Sequence, residues 1–339
     1  MSDDPLALPA SPALPHLAHL ASGGVMLLDG GVATELEARG YDLDDPLWSA
    51  RLLLEDPAAI TAVHADYLRA GADVATAATY QASLPGLRAR GLSDEQARAV
   101  LVDAILRARQ ACLDAARARA PGSPRPGSPR ECPRPLAIAS LGAYGAYRAD
   151  GSEYRGDYGV DDATLVAFHR ERVEVLAPHA DLLACETIPS LQEARCLAQV
   201  LADQSCPAWV SFCCLDDAHV AHGEPIEDCA AALAPVPSVV AVGINCVAPQ
   251  HVEGLLLRLR DATGRVLVAY PNAGERYANG QWCGPRSTPA QFVSWADRWV
   301  AAGARIIGGC CRTTPAHVAA LHRWRTGSSD PNEPRPSED

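Results

Sequence analysis

Lysine is missing from this chain of 339 residues: all 29 basic side chains are arginines. Without a lysine amine the protein cannot hold pyridoxal phosphate as a Schiff base or form an enamine on its own side chain. A P-loop is excluded for the same reason. Positive charge is short in total as well, with 41 acidic residues against those 29 and a net charge of −12. No basic cluster or stripe follows a phosphate backbone, so nucleic acid is not an expected partner. The chain also lacks an apolar run of membrane-spanning length, and its start, Met1-Ser2-Asp3-Asp4, is acidic where a signal peptide is positive. A cytoplasmic protein with no membrane partner is expected. CxxC pairs are absent, which removes a zinc ribbon or thioredoxin-type centre.

Cysteine itself is plentiful, at 12 residues. In a long cytoplasmic chain these thiols are expected to stay reduced, so each is either a ligand or a small buried hydrophobe. The 48% hydrophobic content is ample for a continuous core.

Short runs rich in β-branched residues, at 25–29, 73–80, 136–141, 181–186, 208–213, 239–245, 265–270 and 305–308, alternate with stretches of helical apolar spacing. The clearest of those stretches are 94–118, 164–176, 191–203 and 289–302. Eight strands alternating with helices predict an α/β protein folded as one (β/α)8 TIM barrel, over residues 23–325. A doubly wound sheet is the alternative, but no GxGxxG follows the first strand. Residues 1–22 read as an N-terminal extension, 120–135 as a Pro-rich insertion, and 326–339 as a disordered tail.

Gly308-Gly309-Cys310-Cys311-Arg312 follows the last of these runs, so two adjacent thiols leave a buried strand together. Adjacent residues of a regular strand point to opposite faces, and the two glycines make easy the turn that would let both sulfurs serve one centre. Cys246, 64 residues upstream, closes another run at Gly243-Ile244-Asn245-Cys246. Three thiolates from two strand ends leave one position of a tetrahedral zinc open, the pattern of a catalytic site. Other polar residues share that strand-end position: Asp29-Gly30-Gly31, Glu186-Thr187, Asn245 and Asn272. A barrel builds its active site at the carboxyl ends of its strands, so a common site is expected there. Cys213-Cys214 is a second adjacent pair, but it lacks preceding glycines and is read as one buried and one incidental thiol.

Together with Leu47-Trp48-Ser49-Ala50, Thr79-Tyr80-Gln81-Ala82, Gly151-Ser152-Glu153-Tyr154 and Tyr270-Pro271-Asn272, these motifs resemble the zinc-dependent homocysteine S-methyltransferases, most closely the branch that uses S-methylmethionine. The resemblance runs from about Gly24 to Arg323 and implies the same barrel. It implies one zinc on Cys246, Cys310 and Cys311, with the homocysteine thiol in the open position. It further implies that Glu186 and Asp29 hold the homocysteine ammonium, with the amides of Gly30 and Gly31 and the side chain of Asn245 completing the substrate site. Trp48 and Tyr80 are the candidates to face a sulfonium donor, S-methylmethionine or S-adenosylmethionine, through their π faces. No general acid or base is required, because a zinc-activated thiolate attacks a methyl carbon directly. Arg312 and Asn272 are read as braces. Betaine as donor, or selenocysteine as acceptor, are alternatives within the class, and a non-enzymatic zinc or thiol sensor is the alternative outside it. A monomer or small homo-oligomer is expected.

Overall fold

In the computed structural model, which describes residues 13–118, 134–278 and 281–327, all eight anticipated runs are parallel neighbours in one sheet. The strands are β1 (Met26–Leu27), β2 (Val74–Ala77), β3 (Leu136–Gly142), β4 (Leu182–Ile188), β5 (Ala208–Phe212), β6 (Val239–Asn245), β7 (Val266–Tyr270) and β10 (Ala304–Ile307). The sheet runs β1-β10-β7-β6-β5-β4-β3-β2, which curls a (β/α)8 barrel almost shut. An antiparallel hairpin, β8 (Arg276–Ala278) with β9 (Gln281–Cys283), follows β7 and was not anticipated.

The strand residues sort by parity. Leu182 and Ala184 of β4, Trp209 of β5, Ala241 of β6 and Val268 of β7 pack with one another in the barrel lumen. Their neighbours Leu183, Cys185, Val210, Val242 and Ala269 face the surrounding helices in a second, larger core. Buried on both faces, such strands read as continuous apolar runs, which is why they stand out in the sequence. The helix Leu14–Ala21 lies under the lumen, with Leu20 buried among the lumen residues. Several helices begin at a side-chain cap: Asp56 accepts from the amide of Ala59, Asp161 from Thr164, Ser190 from Glu193 and Thr288 from Gln291.

Between β1 and β2 no ladder closes the barrel; carboxylates do. Asp73 accepts from the amide of Leu27 at 2.8 Å, while its own amide donates to the Leu27 carbonyl at 2.8 Å. Asp29 accepts from the amide and the hydroxyl of Thr76, each at 2.7 Å. Arg325, buried at the same seam, forms an ion pair with Asp73 and donates to the Val25 carbonyl at 3.1 Å.

Among the described residues no helix is long and apolar enough to cross a membrane. Most of the Pro-rich insertion and of the polar tail falls outside the described residues.

Candidate metal centre and substrate pocket

β6 ends at Asn245 and β10 at Ile307, and the chain turns sharply beyond each. Cys246 sits at φ 50° and Arg312 at φ 68°, in the left-handed region that non-glycine residues enter only where surrounding contacts impose it. Those contacts are visible. The Cys310 amide donates to the Pro271 carbonyl at 2.8 Å, and the Cys311 carbonyl accepts from Ala273 at 3.1 Å. The Cys310 carbonyl takes the Thr313 hydroxyl at 2.7 Å, and the Arg312 amide donates to the Thr34 hydroxyl at 2.8 Å. Gly308 and Gly309 serve close approach rather than the turn itself: a Cβ on Gly308 would lie 2.5 Å from that of Leu28, and one on Gly309 2.3 Å from the Thr313 hydroxyl.

The result is that the sulfurs of Cys246, Cys310 and Cys311 all lie within 4.8 Å of one another. The sulfurs of Cys246 and Cys310 are drawn into contact, with Cα atoms 5.7 Å apart, and Cys311 Sγ is 3.9 Å from Cys246 Sγ. Sulfurs converging this closely on one point are what a shared ion between them requires. Burial pushes the Cys311 thiol up to about 12, Glu37 and Glu186 add to the rise, and it needs a nearby cation to act as a thiolate. Three sulfurs at this separation suit one tetrahedral ion of the zinc type. Cys213 and Cys214 do not join them; Cys213 Sγ instead donates to the carbonyl of Glu153 at 3.0 Å. Cys185 is buried within β4 and Cys283 is exposed.

Glu186 lies near this cluster, in β4. Ser140 donates to its Oε1, and Tyr270 donates to its Oε2 at 2.8 Å. Tyr270 is itself held by the Trp209 indole at 3.1 Å and by Ser211 at 2.5 Å. The Ser211 hydroxyl donates its proton to Asn245 Oδ1 at 2.8 Å. Asn245 in turn accepts from the Thr187 amide and donates to the Thr187 hydroxyl, both at 2.8 Å, fixing Thr187 at φ 61°. Its amide also reaches Cys310 Sγ, at 4.0 Å. One polar network thus spans β3 to β7 and ends on a cysteine sulfur. Ser140, Ser211 and Tyr270 were not picked out from the sequence as site residues.

Burial raises the carboxyl of Glu186, against its hydrogen bonds from Ser140 and Tyr270. Burial also raises Asp29, to about 7, against the two Thr76 hydrogen bonds, and the nearby charge of Glu186 adds to the rise. Ionising both of these neighbouring buried carboxyls is costly unless a cation lies beside them. Gly30 and Gly31 follow Asp29 in a tight position, where a Cβ would come 2.8 Å from Tyr67 and 2.9 Å from the Cys310 carbonyl respectively.

On another side of the mouth, Trp48 and Tyr80 meet edge to face with centroids 6.3 Å apart. Trp48 is also left-handed, at φ 48°. The Tyr80 carbonyl, with those of Thr79 and Gly142, is held by the guanidinium of fully buried Arg172 at 2.8 to 3.0 Å. Burial, together with the charges of Glu153 and Glu186, holds the Tyr80 hydroxyl well above the usual tyrosine range. Arg312 pairs with both oxygens of Glu275 at 3.2 and 3.3 Å, so it does brace the turn. The Asn272 amide donates to Val247 at 3.0 Å, while its buried side-chain oxygen has no partner.

The family model for homocysteine S-methyltransferase matches residues 26–324. The chain belongs to the homocysteine S-methyltransferase family. It is 46% identical over 314 residues to the homocysteine S-methyltransferase of Escherichia coli, covering 91% of this chain and 97% of the relative. It is 42% identical to the selenocysteine Se-methyltransferase of Brassica oleracea, covering 89% of each. Solved structures of the homocysteine methyltransferase MmuM from Escherichia coli, in a metallated and an oxidized form, superpose with TM-scores of 0.79 and 0.78 at 45% identity. They cover 91% of this chain and 99% and 98% of theirs.

Proposed function

We propose that this protein transfers a methyl group from the sulfonium of S-methylmethionine to the thiol of homocysteine, with zinc held by Cys246, Cys310 and Cys311. The observation that carries the reading is the convergence of those three sulfurs at the ends of two strands, beside a buried carboxylate pair. Zinc bound by three thiolates supplies the charge that keeps a substrate sulfur deprotonated at neutral pH while leaving it nucleophilic.

The chain's own residues do the rest. Glu186 and Asp29 present negative charge to the homocysteine ammonium, and Asn272 Oδ1 offers it a further acceptor. Asn245 donates toward Cys310 and holds Thr187, so the strand ends cannot drift apart. Trp48 and Tyr80 form an aromatic wall against which a sulfonium is stabilised by about 0.5 to 2 kcal/mol once water is excluded. The homocysteine sulfur attacks the methyl carbon with a lone pair. The old carbon–sulfur bond breaks, its electron pair stays with the donor sulfur, and two methionines result. Charge is neutralised in that step, so a dry pocket favours it and no proton needs to move at the methyl carbon.

Turnover of homocysteine with S-methylmethionine, S-adenosylmethionine and betaine tests the donor. Strong preference for S-methylmethionine is expected, and methionine, with its neutral sulfur, should donate nothing. Metal analysis after reduction should find about one zinc per chain, lost together with turnover when Cys246, Cys310 or Cys311 is replaced by Ser. Full metal retention in all three variants would overturn the ligand assignment. Selenocysteine as an alternative acceptor is favoured by the Brassica relative and is read in the same assay.

A further inference from the structure

Methyl transfer from S-methylmethionine to homocysteine brings two amino acids into one barrel mouth, and each carries an ammonium. Glu186 and Asp29 sit together and serve one of them. Every oxygen of that pair already accepts a hydrogen bond, from Ser140, Tyr270 or Thr76. Glu153 is different. It lies in the short 3-10 helix Ser152–Tyr154, and its Oε2 is buried with no hydrogen-bond partner. A buried carboxylate oxygen left unpaired is costly, and relief requires an N–H or O–H donor.

The segment is built into the site rather than lying loose above it. Cys213 Sγ donates to the Glu153 carbonyl at 3.0 Å and also reaches the Thr187 carbonyl at 3.7 Å, tying the segment to the residue that Asn245 holds beside Cys246. Gly145 lets it sit close: a Cβ there would be 2.2 Å from the Glu153 amide. The Glu153 charge helps to raise the Tyr80 hydroxyl, so the two side chains are within electrostatic reach of each other.

A sulfonium has no N–H and cannot satisfy a carboxylate lone pair, whereas an α-ammonium has three N–H groups. We propose that Glu153 receives the α-ammonium of the methyl donor, which makes this an enzyme selective for sulfonium donors that are amino acids. The inference rests on the methyl-transfer reading above and adds the residue that reads the donor's far end.

The test is Glu153→Gln, with S-methylmethionine compared against dimethylsulfoniopropionate, a sulfonium carboxylate without an amino group. The ratio of kcat/KM for S-methylmethionine to that for dimethylsulfoniopropionate should fall at least about tenfold, with the KM for homocysteine within about twofold. Glu153→Asp should recover part of the ratio. Calorimetric titration of S-methylmethionine into the reduced protein should show the same tenfold weakening in Glu153→Gln. An unchanged ratio, an equal loss with both donors, or unaltered binding overturns the role of Glu153. Weakened binding without any wild-type turnover of S-methylmethionine would retain Glu153 as the ammonium site and discard the methyl-transfer reading.

Discussion

At the scale of single residues, the pocket is a set of acids with different amounts of work left to do. Asp29 has its carboxyl raised to about 7 by burial, Thr76 notwithstanding. A folded value above the unfolded one means the native state holds the proton more tightly, so the stability contributed by protonated Asp29 is present below about pH 4 and is lost as pH rises through about 7. Binding a substrate ammonium reverses the preference, since only the ionised carboxyl attracts it. The KM for homocysteine is therefore expected to fall as pH rises from 6 to 8, and a pH series should find that fall reduced in Asp29→Asn. Glu186→Gln should raise the homocysteine KM by the equivalent of about 1.5 to 3 kcal/mol while leaving zinc content intact. Normal homocysteine saturation in that variant would make Glu186 structural.

At the scale of elements, the eight strands were legible because both faces of each are buried, which leaves short apolar runs between amphipathic stretches. The helix at Asp94–Ala118 matched its sequence spacing from end to end. The cysteine cluster was legible from strand-end position together with the glycines before Cys310 and the family motif. What holds it was not. Ser140 and Ser211 are single small residues inside strands, with nothing in the pattern to separate them from core serines. The left-handed backbone at Trp48, Thr187 and Cys246 was hidden because none of them is glycine. Arg172 gave no signal either: an arginine in an amphipathic helix reads as surface, yet it donates to three carbonyls from β3 and the Tyr80 segment. Arg172→Met leaves those acceptors unpaired and should cost at least about 3 kcal/mol, measured by urea unfolding. It should also raise the KM for the donor more than that for homocysteine, because the Tyr80 wall loses its tether.

At the scale of the whole molecule, one pair of strands is joined by carboxylates and a single backbone hydrogen bond where every other pair is joined by a ladder. Removing Arg325 alone strands the Asp73 carboxylate in a buried place and should cost about 3 to 5 kcal/mol. Replacing both, as Asp73→Asn with Arg325→Met, should cost less than the sum of the single changes, and a double-mutant cycle in urea checks it. The closing contacts at β1 and β2 also set how the folded barrel breathes. The amides of Leu27 and Thr76 are protected by carboxylates rather than by a neighbouring strand, so they can trade their protons with water through a local parting of two short strands. In deuterium they should exchange well before the amides of β4 and β5, and the Thr76 amide should exchange more slowly when homocysteine holds Asp29 in its charged form. A barrel that loosens first beside the carboxylate proposed to hold its substrate carries a built-in record of occupancy, readable one amide at a time.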